Sequence, residues 1–189
     1  MNCTAILDMA QAARSHPVPL PDRPARIDPA WLAETNINPV TGLATDFLNH
    51  FNEAVMLLEM LPMAPECVDD FLRWQPMSYC EHFAASRLKD RDLMIAAYEA
   101  ADPTARAELN AIADKMNAIL TITRNGIKRG LSSQTTTNLA AEVAWYLKPM
   151  IARAGAVING EPAGPVAQAA TQAAVDALFD HEAGAALAT

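Results

Sequence analysis

Between Asp102 and Lys128 a stripe of Leu109, Ile112, Met116, Ile119, Leu120, Thr123 and Ile127 recurs at spacings of three and four residues. At about 3.6 residues per turn that spacing brings every member to one side of a helix and holds it there for about five turns. A strand would send alternate members to opposite faces. A helix of this length with one apolar side must bury that side against other elements, so the segment calls for a helical bundle. Asp102 with Pro103 marks its start, and Gly126 and Gly130 weaken its end.

The flanking segments carry the same period. The turn NPVTG and Pro62 bracket a helix from about Thr45 to Leu61, with Phe47, Phe51, Ala54, Leu58 and Leu61 on its main face and Leu48 and Val55 to one side. Met56, Leu57 and Met60 interrupt its polar side, which predicts burial on more than one side, by the domain itself or by a second subunit. A short helix follows from about Pro65 to Trp74. Ser78 and Glu81 have the capping-box spacing and open a helix predicted to reach about Ala100. After SSQTTTN a helix from about Asn138 to Ile158 carries Leu139, Val143, Tyr146, Met150 and Val157 on one face, with Pro149 inside it as an expected kink or break. An alanine-rich helix is expected from about Val166 to Asp180. No segment reads as a strand, and no internal repeat marks a solenoid.

The N-terminal region reads differently. A short helix over residues 4–14 is followed by prolines at 17, 19, 21, 24 and 29, which hold the backbone extended and end any helix. The expected organisation is an arm over residues 1–30 that docks through Trp31, a single helical domain over 31–182, and a frayed tail over 183–189. The fold class is all-α, an irregular bundle of about five or six helices with an extended Pro-rich N-terminal arm. At 189 residues one full core is expected. The 51% apolar content is rich in alanine and overstates the large side chains available to fill that core.

Charge and cysteines narrow the partners. A net charge of -8 lacks the concentrated basic surface that nucleic acid or an anionic membrane requires. No apolar run approaches the roughly 18 residues that span a bilayer. The start MNCTAILDMAQAARS places Asp8 where an export signal is apolar. Cys3, Cys67 and Cys80 are odd in number and lack a CxxC spacing, so neither a disulfide framework nor a zinc knuckle is expected and a reducing, cytoplasmic setting fits.

Three groups carry candidate chemistry. Asp46, His50 and Glu53 fall within about 60° of one another on a helix, at the i to i+4 and i to i+3 spacings that let two side chains share an ion. The outer two are seven residues apart, about 10 Å along the axis, too far for one ion. His50 with one carboxylate therefore needs a ligand from elsewhere. In SYCEHF the period favours His82 over Glu81, which belongs to the capping box. The expected metal set is Asp46, His50, Glu53 and His82, holding a divalent iron, manganese or zinc ion. The plainer account makes Asp46 a helix-dipole partner and His50 with Glu53 a solvated pair. ExxH, the pattern of di-iron bundles, is missing.

The second group is Arg124, Lys128, Arg129, Ser132 and Ser133, basic and hydroxyl side chains before a helix N-terminus, where an anionic metabolite would find donors. The same residues also serve as ordinary helix caps. Cys80 and His82, two residues apart, project to different sides of a helix and cannot act as nucleophile and base together. The third group is Met56, Met60 and Met63 with Leu57 and Leu61, an adaptable apolar patch. No complete catalytic motif is present. The expected role is non-catalytic, through homo-oligomerisation as a dimer or through partner binding, with metal binding and anionic-metabolite binding as the alternatives.

Overall fold

The computed structural model describes residues 35–161. The expected 4–14 helix, the proline arm, the docking of Trp31, the alanine-rich helix and the tail lie outside the described residues. The fold is all-α. A single 3-10 turn, Thr45–Phe47, leads into α1 (Leu48–Met60), followed by α2 (Cys67–Arg73), α3 (Tyr79–Ala85), α4 (Arg91–Ala100), α5 (Pro103–Lys128) and α6 (Ser133–Ile158). Extended pairing among the described residues is limited to one isolated antiparallel bridge, Ile37 with Ala44.

α6 is the central element. Gly155 approaches Leu48 while Lys148 pairs with Glu59, so α1 and α6 run antiparallel. Arg153 pairs with Glu108, which sets α5 antiparallel to α6 on another side. The core between them holds Phe47, Phe51, Leu58, Leu109, Met116, Leu120 and Leu147, all fully buried. In the α5 stripe Leu109, Met116, Ile119, Leu120, Thr123 and Ile127 are buried and Ile112 packs at the edge.

Local chemistry sets the element ends. Asp102 accepts from the Thr104 and Ala105 amides and Pro103 takes the first helical position, so α5 starts as its sequence predicts. The capping box at α3 is complete, with the Ser78 amide donating to Glu81 Oε2 at 2.8 Å and the Glu81 amide donating to Ser78 Oγ at 3.3 Å. The helix it opens ends early. Ser86 turns extended, its hydroxyl bonds the Phe83 carbonyl, and Arg91 donates back to the Ala84 and Ser86 carbonyls, so the expected 78–100 helix divides into α3 and α4.

α6 departs from expectation in the other direction. It begins at Ser133, capped by Ser132, and passes through Pro149 as one continuous helix. The missing Pro149 N–H leaves the Trp145 carbonyl without its i+4 donor, and both residues are exposed, so water can replace that bond. Before α1, Asn38 accepts from the Val40 and Thr41 amides, and Thr41 Oγ1 donates to the Ile158 carbonyl at 2.6 Å, tying the turn to the end of α6. Gly42 sits at φ +72°, where a Cβ would stand 3.1 Å from the Ala97 carbonyl oxygen of α4.

Candidate functional site

Between α2 and α3 the segment 74–78 runs as a strap across the bundle. Pro76 stops α2 from continuing and biases Gln75 toward extended backbone. α5 pins the strap twice: Arg124 donates to the Trp74 carbonyl, and Asn117 Nδ2 donates to the Met77 carbonyl at 3.1 Å. α1 holds its first residue. Trp74 Nε1 donates to the His50 carbonyl at 3.1 Å, and the indole stacks on the His50 ring with centroids 4.7 Å apart and planes 21° apart.

Next to His50 stands His82 of α3, with ring centroids 5.8 Å apart. Aromatic rings enclose the pair. Phe51 borders His50 at 5.4 Å, and Phe47 and Phe83 border His82 at 5.8 and 5.0 Å. His50 is only 6% exposed, and its Nε2 is buried with no hydrogen-bond partner within the protein. Such an unsatisfied group costs about 1–3 kcal/mol. Asp46, in the 3-10 turn, has Oδ2 buried in the same condition.

These surroundings set the protonation states. The His50 pKa is lowered to about 4, chiefly by burial and then by the neighbouring His82, against a hydrogen bond with the Gln75 backbone. His82 is also held below the ordinary imidazole value, chiefly by burial, against a backbone hydrogen bond and the charge of Asp46. Both imidazoles are therefore neutral at pH 7. Tyr79, whose hydroxyl accepts from the Ala44 amide at 2.9 Å, is pushed up by burial and held as a phenol.

The structure thus brings His50, His82 and Asp46 into one neighbourhood and leaves Glu53 outside it, exposed to solvent. Among the described residues no three His, Cys, Asp or Glu side chains gather as the ligands of one metal ion would. The second group disperses as well. Arg124 turns inward to the strap, Ser132 accepts from the Thr135 amide as the α6 cap, and Lys128, Arg129 and Ser133 stand exposed. Among the described cysteines, Cys67 is a buried free thiol and Cys80 is buried as well.

Two features escape the sequence reading. Trp74 reads as the end of a short helix, and nothing in its spacing announces a stack on His50. Trp145 is a large aromatic at a position outside the apolar face of α6, and it is 69% exposed. That mismatch between residue size and position was a legible signal. On α1 Met56 is 53% exposed and, beyond its end, Met63 is 86% exposed, whereas Leu57 turns into the core.

No protein-family model, curated protein or solved structure matches this chain. Among the described residues no helix is long and apolar enough to cross a membrane.

Proposed function

We propose that the chain acts through self-association, docking a second copy against the surface that α1 and α6 share. The observation that carries this reading is the exposure of Trp145, at 69% of its surface, on a helix that packs against α1, where Met56 is also exposed. The Glu59–Lys148 ion pair joins the two helices there. Trp145 lies one turn before Lys148 and Met56 one turn before Glu59, each within about 60° of its neighbour on its own helix. Because the helices are antiparallel, the two apolar side chains flank the ion pair on opposite sides.

A two-fold axis through such a surface would set Glu59 and Lys148 of one copy against Lys148 and Glu59 of the other, so the charges are self-complementary. Tryptophan supplies a large, rigid contact and methionine adapts to an irregular one.

Sedimentation velocity of the full chain over a micromolar concentration series tests the reading. The expected result is a concentration-dependent dimer that Trp145→Glu and Met56→Glu each weaken at least about tenfold, or about 1.4 kcal/mol. A chain that stays monomeric throughout the series, or a dimer indifferent to both substitutions, overturns it.

A further inference from the structure

The His50–His82 pair has the spacing of two ligands on one ion, and this inference stands apart from the self-association reading. A metal–imidazole bond is about 2.0–2.1 Å, so two nitrogens on opposite sides of one ion lie about 4 Å apart and their ring centroids about 6 Å apart. The observed centroid separation is 5.8 Å. His50 Nε2 is a buried nitrogen without a partner. The His50 ring is held by the Gln75 backbone and the His82 ring by the Asp46 backbone, the kind of outer contact that fixes a ligating imidazole.

The number of donors and their surroundings select the ion. With no third His, Cys, Asp or Glu side chain converging among the described residues, the four-coordinate shell of zinc and the larger shells of iron and manganese cannot be filled by this neighbourhood. Copper(I), a d10 ion, accepts two donors in a line. Trp74, Phe47, Phe51 and Phe83 enclose the pair with rings, where an uncompensated double charge is far costlier than a single one. The carboxylate of Asp46, whose charge acts on His82, offsets one positive charge. His82 is only half-buried and gives the ion a route from solvent.

We propose that His50 and His82 form a two-coordinate copper(I) site at the junction of α1, α3 and the 74–78 strap.

The test is an anaerobic titration of the full, tag-free chain with copper(I) in ascorbate, competed by a chromophoric copper(I) chelator and followed by X-ray absorption at the copper edge. The expected result is one copper(I) per chain with two nitrogen neighbours and no sulfur. His82→Asn, at the half-buried position, and His50→Gln should each weaken binding at least about a hundredfold, while Cys67→Ser leaves it unchanged. Circular dichroism and thermal melts select the folded variants, and His82→Asn alone suffices if His50→Gln fails to fold. If His82→Asn also fails to fold, the absorption spectrum of the wild-type chain decides. No binding under competition, binding retained in a folded histidine variant, sulfur coordination, or a preference for zinc over copper(I) each overturns the proposal.

Discussion

Trp74 and His50 hold each other twice: the indole stacks on the imidazole at 4.7 Å, and its N–H bonds the His50 carbonyl at 3.1 Å. One contact fixes the ring and the other fixes the backbone of the first turn of α1. Because Arg124 bonds the Trp74 carbonyl in turn, α1, the strap and α5 are joined through a single residue.

Removing that residue should therefore cost more than an edge contact. Trp74→Ala is expected to destabilise the fold by about 3–5 kcal/mol, the usual range for a buried aromatic. Trp74→Phe keeps a ring but removes the indole donor from the His50 carbonyl, which retains its bond within α1, at a cost of about 0.5–1.5 kcal/mol. Urea denaturation followed by circular dichroism measures both. Equal losses for the two variants would show that the hydrogen bond, and not the ring, dominates.

The pH dependence of stability follows from the burial of His50. Its pKa falls from 6.5 to about 4 on folding, so between those values the unfolded chain takes up a proton that the folded chain refuses. Unfolding is then favoured as pH falls, and the contribution of this residue is fully present above pH 6.5, lost through the window and flat below about pH 4. The size is about 3 kcal/mol. Denaturation midpoints in metal-free buffer at several pH values should drop more steeply in wild type than in His50→Gln. Parallel slopes would show that other groups carry the acid sensitivity.

Helix caps separate the hydroxyls of the α6 start. Ser132 accepts the Thr135 amide, whereas Ser133 lies inside the first turn and exposed. Ser132→Ala should cost about 1 kcal/mol and Ser133→Ala close to nothing in a thermal or urea melt. Ser78→Ala, which removes one half of the α3 capping box, belongs with Ser132→Ala. An effect of Ser133→Ala as large as that of Ser132→Ala would mean that Ser133 also caps.

The α5 stripe was legible because it repeats over many turns and is closed by Asp102 and Pro103, so period and cap agree. The break at Ser86 was not, because it depends on Arg91 reaching back to two carbonyls, a contact that no spacing announces. The histidine stripe was half legible. Asp46 sits in a 3-10 turn, so α-helical angles counted from it do not apply. The buried arc of α1 places His50 at its edge and Glu53 about 60° beyond it, which explains why one is enclosed and the other wet. The partner that came from a distant helix, His82, was identified by its direction relative to Glu81. Trp74 entered from a segment with no regular period at all.

Salt should reveal which force governs self-association. Each copy carries a net charge of -8, so two copies repel at long range, while the contact argued for the α1–α6 surface is apolar with one reciprocal pair of charges. The Debye length shortens from about 30 Å at 0.01 M salt to about 8 Å at 0.15 M, which screens the general repulsion before it screens groups in contact. Dimerisation measured by sedimentation should therefore tighten from low to physiological salt. In Lys148→Glu it should weaken at every salt concentration, because Glu59 then faces like charge in both copies. Wild-type association that weakens steadily with salt would instead assign the contact mainly to ion pairs and remove Trp145 from its centre.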